Sequence, residues 1–371
     1  MKRFFKWAFS LIVLGLAGWF VVAYFTSTND CDHYSTVPAH PIKAIVYCDY
    51  GPSNLKLQDI EKPSPDDDQV LVKVRAASVN PLDWHFIEGT PYAMRAMGVG
   101  LRKPRNTRLG VDYSGTVEAV GKNVTAFKAG DDVFGGKTGA FAEYVCVRQD
   151  KAIALKPPSV TFEDAAAVPI AGLTALQALR DKGKVQAGDA VLINGASGGV
   201  GTFAVQIAKS LGANVTGVCS ARNLEMVRSL GADQVIDYTK EDVSKGDQRF
   251  DVILDNVGTQ SMSAFKHLLK EKGRYVLIGG GGTGDQGLIG PLINPVKLLF
   301  LSLGGKQQMS MMLADLNQKD LTAFADLMQA GKVKGVIDRT YPLSDLAGAI
   351  RYLEQGHVHG KVIIEVGDEK D

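Results

Sequence analysis

The chain has 371 residues, more than one usual domain, so two domains are the expectation. A net charge of +1, with 22% of residues charged, gives no electrostatic footprint for nucleic acid. Cys31, Cys48, Cys146 and Cys219 lie far apart without a C-x-x-C pair, which argues against a structural zinc site and against a disulfide framework.

The N-terminus carries Lys2, Arg3 and Lys6, followed by nineteen uncharged, mostly apolar residues from Trp7 to Phe25. At helical rise that run spans about 28 Å, close to the roughly 30 Å of a bilayer's hydrocarbon core. Trp7 at one end, with Trp19 and Tyr24 towards the other, suits the two membrane interfaces. A secretory signal would have a shorter apolar region and a small-x-small cleavage pattern, and none follows Phe25. The expectation is one N-terminal transmembrane helix over residues 7–25, an uncleaved anchor. Asp30 and Asp32 follow the span, so the positive-inside rule keeps the N-terminus cytoplasmic and sends the body across.

Asn29–Pro41 is polar, with Pro38 and Pro41, and reads as a linker. The body starts near Lys43. Ala44–Tyr47, Val70–Ala76, Gly115–Val120 and Phe141–Val147 read as strands, with turns such as Gly121-Lys122-Asn123 between them. This β-rich block ends about Pro157-Pro158. Ala165–Leu179 is then a helix candidate interrupted at Pro169 and Gly172. Strand candidates recur near Ala190, Val215, Gln234, Phe250 and Arg274 with helical segments between, the signature of a parallel sheet covered on both faces. The apolar Val296–Leu303 reads as a buried interface helix, or else as a lipophilic pocket wall or second membrane contact. A helix over Asp320–Ala330, a strand over Val336–Tyr341, a helix over Ser344–Glu354 with Ser344 as N-cap, and a last strand over Lys361–Val366 complete the chain.

The most informative stretch is Val191–Gly201. An apolar run breaks into the glycine-rich turn Asn194-Gly195-Ala196-Ser197-Gly198-Gly199-Val200-Gly201. Val200, Phe203, Ala204, Ile207, Ala208 and Leu211 then mark one stripe of a helix. Strand, glycine turn and helix form a dinucleotide-binding corner, where backbone N–H groups and the helix dipole receive a pyrophosphate. The next strand, Asn214–Cys219, ends in Ser220-Ala221-Arg222 where an NAD-selective corner carries an acid. A hydroxyl and a guanidinium suit a 2′-phosphate, so NADPH is the expected cofactor. Tyr238 follows the third strand and suits the adenosine; Asn256 and Gly279 follow the fourth and fifth, on the nicotinamide side.

Ala77-Ser78-Val79-Asn80-Pro81-Leu82-Asp83-Trp84, Leu109-Gly110-Val111-Asp112-Tyr113-Ser114-Gly115, Gly130-Asp131-Asp132-Val133-Phe134-Gly135, Ala171-Gly172-Leu173-Thr174-Ala175 and His359-Gly360-Lys361-Val362-Ile363 join that turn in a recognisable set. Over about residues 43–366 the chain resembles the medium-chain dehydrogenase/reductase superfamily, in its zinc-free quinone-oxidoreductase-like branch. The resemblance implies an α/β protein: a GroES-like β-barrel domain (42–160, completed by 331–371) and a Rossmann doubly wound parallel sheet (161–330), after the anchor and linker (1–41). It places Ser197, Gly198, Gly199 and Val200 at the pyrophosphate, Ser220 and Arg222 at the 2′-phosphate, and Tyr238 near the adenosine. It also places Thr174 near the nicotinamide-side phosphate, with Asn256, Gly279, His357 and His359 among the cofactor contacts.

Zinc-dependent members of the superfamily carry a cysteine where this chain has Asn80, a His-Glu pair where it has Val111-Asp112, and another cysteine near Ile170. Asp112 alone cannot hold zinc tetrahedrally, and Thr90–Arg108 lacks the four cysteines of the structural zinc lobe, so no metal is expected. Without a Lewis acid, quinones and enones are easier hydride acceptors than ketones. By resemblance Asn80 lies beside the nicotinamide, where its amide is a candidate donor to the developing oxyanion; Asp83 is a candidate for orienting the loop or a water, or else a local turn contact. The expected substrate is a small lipophilic carbonyl or quinone. An NADP-dependent alcohol/aldehyde dehydrogenase, and a membrane-tethered NADPH-binding protein without turnover, stay open, as do the substrate's identity, the side of the membrane and a homodimer.

Overall fold

The computed structural model describes residues 18, 21–22, 24–258, 261–279, 290–303 and 305–367. The apolar run Trp7–Phe25 lies largely outside them. Its described part is helical, with Val21, Val22, Tyr24 and Phe25 exposed. Among the described residues no helix is long and apolar enough to cross a membrane, so the expected transmembrane helix is not one of the elements seen.

Strands β1 (Pro41–Val46) and β2 (Lys56–Glu61) pair antiparallel. β3 (Gln69–Val79) is the hub of the first domain, flanked by β4 (Asp112–Val120) and β6 (Tyr144–Arg148); β5 (Asp132–Gly136) joins β4 to β7 (Ile153–Leu155). Val70, Val72, Val74, Tyr113, Phe141 and Val145 fill the interior. The polar stretch before β1 is not a free linker. Cys31–Ser35 forms a short 3-10 turn, and Cys31 is disulfide-bonded to Cys48 with Cα atoms 5.9 Å apart. Asn29 Nδ2 donates to the Cys48 carbonyl (2.8 Å), and Thr107 Oγ1 donates to Asp30 (2.7 Å) beside the Tyr34 hydroxyl. These hydrogen bonds lay the segment against the barrel and bring the two cysteines together, correcting the expectation of no disulfide, a pairing that spacing alone does not reveal.

The second domain is a six-stranded parallel sheet: β8 (Ala190–Asn194), β9 (Asn214–Cys219), β10 (Gln234–Asp237), β11 (Phe250–Asp255), β12 (Leu269–Ile278) and β13 (Gln308–Met312). Its order, β10-β9-β8-β11-β12-β13, reverses between β8 and β11, which opens a crevice at their carboxyl ends. Val191, Leu192, Ile193, Ile253 and Leu254 are fully buried, as strands covered on both faces require. The helix interruption falls at Pro169, where the helix Pro169–Gln177 begins, and not at Gly172. A Cβ at Gly172 would sit 2.8 Å from the Phe324 ring, so the glycine admits the neighbouring helix Gln318–Gln329. In the helix Gly290–Ser302, Leu298 is buried while Val296, Leu299 and Phe300 are exposed, as is Leu303 just beyond it; the apolar run is therefore only half core.

After this sheet the chain returns to the barrel. β14 (Ile337–Pro342) pairs parallel with β15 (Lys361–Glu365), and β15 runs antiparallel to β3 with Val362 opposite Val79. The intervening helix Leu346–Glu354 is capped by Asp345, which accepts from the Gly348 N–H at 3.1 Å, one residue after the expected Ser344. Just before β15, Gly360 bridges to Gly198, and its N–H donates to the Ser197 carbonyl (2.8 Å). This contact ties the glycine turn to the barrel.

Candidate active site

The glycine turn is built from steric necessity. Gly195 takes φ +77°, and the Val218 carbonyl on β9 accepts from both Gly195 and Ala196 N–H groups (3.1 and 2.9 Å). A Cβ at Gly201 would lie 2.0 Å from the Gly195 carbonyl oxygen, so only glycine lets the helix Gly199–Ser210 start so close to the strand. Gly198, the N-cap, is different: a Cβ there meets only the Gly195 oxygen, at 3.6 Å. The turn is packed beneath and open at Gly198, and the helix's first N–H groups have no intrahelical acceptors.

At the switch point Asp255, fully buried, locks the strand ends. Its Oδ1 accepts from Asn194 Nδ2 (2.9 Å) and from the N–H groups of Val257 and Gly258 (3.1 and 3.0 Å), and its Oδ2 from the Tyr275 hydroxyl (2.7 Å). Asn256 Nδ2 donates to the Asn194 carbonyl (3.0 Å), leaving a buried Oδ1 without a hydrogen-bond partner among the described residues. Gly279 follows β12 at φ +64°, and among the described residues no atom lies within 4 Å of where its Cβ would stand.

On the other edge, Ser220 follows β9, and the exposed Tyr238 donates its N–H to the Cys219 carbonyl (3.2 Å). Arg222 donates to the carbonyl of His357. An acid does stand next door: Asp237 ends β10 opposite Cys219, its Oδ1 accepting from Thr239. His359 is held by Asp338, ring Nε2 to Oδ1 at 3.3 Å and N–H to Oδ2 at 3.1 Å. The Thr174 hydroxyl is buried and donates to the Ile170 carbonyl in its own helix (2.6 Å).

Across the cleft lies a buried polar cluster. Asn80 is the N-cap of the helix Pro81–Glu88, with Pro81 at N1 and Asp83 at N3. The segment is thus a helix start and not the loop expected, and the Asn80 N–H donates to Asp83 Oδ2 (2.8 Å). Asp112 Oδ2 accepts from Ser78 Oγ (2.8 Å) and Asn80 Nδ2 (2.9 Å), and its Oδ1 from the Ile170 N–H (3.0 Å). Lys361 Nζ donates to Asn80 Oδ1 (2.7 Å) and the Val79 carbonyl (3.1 Å), 3.5 Å from Asp112. A lysine only donates and a carboxylate only accepts, so these two neighbours fix which way the Asn80 amide faces. Burial pushes the Asp112 carboxyl up and the Lys361 ammonium down, and each charge opposes the other's shift.

The Asn80 amide N–H₂, the candidate oxyanion donor, is spent on Asp112 and, more weakly, on the Ser78 carbonyl (3.4 Å). That geometry holds the side chain rather than freeing it. Lys361 escaped the sequence reading; the available signal was one lysine heading the otherwise apolar Lys-Val-Ile-Ile strand. Asn80, Val111, Asp112 and Ile170 supply a single carboxylate. Among the described residues no group of three His, Cys, Asp or Glu is placed to hold a metal.

A family model for the alcohol dehydrogenase GroES-like domain matches residues 66–157, and one described as zinc-binding dehydrogenase matches residues 230–364. The trans-enoyl reductase pgmF of Aspergillus terreus is 36% identical over 360 residues, covering 90% of this chain and 98% of that protein. The structure of the quinone oxidoreductase from Coxiella burnetii superposes with a TM-score of 0.77 at 33% identity, over 88% of this chain and all (100%) of that one. Escherichia coli quinone oxidoreductase complexed with NADPH gives 0.72 at 26% identity, over 87% and 99%.

Proposed function

Because the chain belongs to the medium-chain dehydrogenase/reductase superfamily, in its quinone-oxidoreductase-like branch, we propose that it is an NADPH-dependent reductase acting on a quinone or an α,β-unsaturated carbonyl without a metal. One observation carries this reading: the Gly198–Gly360 bridge sets an open glycine turn against the buried Asn80–Asp112–Lys361 cluster. The residues fit the nucleotide. Gly198 leaves room for a pyrophosphate above the helix N-terminus, and Asn256 Oδ1, unpartnered among the described residues, offers a buried acceptor at the switch point. Ser197, Gly199 and Val200 would complete the phosphate cradle, Ser220 and Arg222 would take the 2′-phosphate, and Tyr238 would flank the adenosine. When bound, NADPH supplies a hydride from its nicotinamide.

Asp112 supports the metal-independent reading, since its oxygens are engaged by Ser78, Asn80, Ile170 and Lys361. Asn80 then serves by fixing the start of the helix Pro81–Glu88 beside the reacting groups. The enolate or hydroquinone oxyanion of a conjugated acceptor spreads its charge, so it needs less electrophilic help than a ketone does. NADPH oxidation by the purified protein over quinones, enones and aldehydes, with NADH and a chelator in parallel, tests this. Turnover of quinones or enones that favours NADPH and ignores the chelator is expected. Alcohol oxidation alone would shift the reading to an alcohol/aldehyde dehydrogenase, and tight binding without turnover to a nucleotide-binding protein. A preference for NADH would remove Ser220 and Arg222 from their assigned role.

A further inference from the structure

Lys361 belongs to three parts of the molecule at once. Its backbone heads β15, whose preceding Gly360 N–H is bonded to the Ser197 carbonyl (2.8 Å). Its stem lies under the glycine turn, with Cδ 3.1 Å from where a Gly199 Cβ would stand. Its ammonium, in a residue only 3% exposed, ends on Asn80 Oδ1 and the Val79 carbonyl, beside Asp112. One buried side chain, held at both ends, therefore spans from the turn that would cradle the pyrophosphate to the residue that caps the helix Pro81–Glu88. Packed interiors transmit displacement and do not absorb it.

We propose that Lys361 is a positioning residue that couples nucleotide seating on the Ser197–Val200 turn to the placement of Asn80 on the acceptor side of the cleft. A pyrophosphate that settles the turn settles Gly199, hence the lysine stem, hence the ammonium that holds the Asn80 amide. This rests on the reductase reading above.

K361M alone would strand the Asp112 charge in the interior, so the comparison is D112N against D112N/K361M. D112N keeps both lysine donations, to Asn80 and to Val79, and leaves the ammonium the buried Asp83 carboxyl as its charge partner; the double variant removes the donations together with both charges of the Asp112–Lys361 pair. In D112N, saturating NADPH should slow amide hydrogen exchange across residues 79–88. In D112N/K361M the nucleotide should still bind within about threefold of D112N, but that protection should vanish. With an acceptor, kcat should fall by 10-fold or more between the two while KM moves little, and the isotope effect with deuterated NADPH should rise. Retained protection and unchanged kcat would overturn the coupling. So would a D112N/K361M chain that fails to fold while D112N folds, since Lys361 would then be structural. Wild-type protein that binds NADPH yet reduces nothing would sink the reductase reading instead, and the exchange experiment would still decide the coupling.

Discussion

Asp83 shows how one position of a cap becomes a titrating group. It is fully buried, with Oδ2 accepting from the Asn80 N–H. Burial first, and then the charge of Asp112, push its carboxyl up to about 7 against the pull of the Asn80 N–H and the Lys361 ammonium. In the unfolded chain an aspartate titrates near about 3.9. Between those values the unfolded chain has released a proton that the folded chain keeps. The stabilising contribution is therefore full below about pH 4, falls as pH rises towards 7, and is level above. D83N still offers an oxygen to Asn80 but cannot ionise. Its melting temperature should draw level with wild type near pH 4.5 and exceed it near pH 8.5, the gap widening by about 2 °C or more, which is what about 1 kcal/mol produces in a large domain. A gap that stays constant from acid to base would show that Asp83 does not titrate in this window.

Among the elements, the glycine turn separates packing from binding. A methyl at Gly201 would collide with the Gly195 carbonyl at 2.0 Å and with Ala196 backbone at 2.8 Å. G201A should therefore destabilise the fold, by about 1–3 kcal/mol or more as overpacking does, and lose NADPH as well. A methyl at Gly198 meets no atom closer than 3.6 Å, and its φ of −81° suits any residue. G198A should melt within about a degree of wild type yet bind NADPH at least about 10-fold more weakly, as fluorescence titration would read. Equal binding by G198A would remove the pyrophosphate from that position. This turn was legible because strand, glycines and helix stripe are local features. The sixth strand, Gln308–Met312, was not: Gln-Met-Ser-Met-Met has no β-branched residue, and only pairing with β12 makes it a strand. Lys361 was hidden for a related reason. A lysine in a strand reads as an edge or surface residue until the partners that bury it, 281 positions away at Asn80, are known.

At the scale of the whole molecule, the missed feature and the unplaced one bear on each other. The Cys31–Cys48 disulfide fastens the segment before β1 onto the barrel. Such bonds persist in oxidising compartments and are rare in the cytosol. If residues 7–25 span a membrane, the charge rule applied to Lys2, Arg3 and Lys6 ahead of them, and Asp30 and Asp32 behind, would put the body on the side opposite the N-terminus. The remaining thiols, the half-buried Cys146 and the buried Cys219, are both pushed up to about 11 by burial, so they stay protonated at neutral pH in the folded chain. Thiol counting on cells quenched in acid and then denatured therefore distinguishes the compartments. Alkylation should label two cysteines, Cys146 and Cys219, before reduction and all four afterwards. C31S/C48S should keep the core but expose residues 29–40 to protease, with a loss of about 3 kcal/mol from a tether of this loop length. Four labelled thiols before reduction would place the body on the reducing side and set the charge rule aside for this chain.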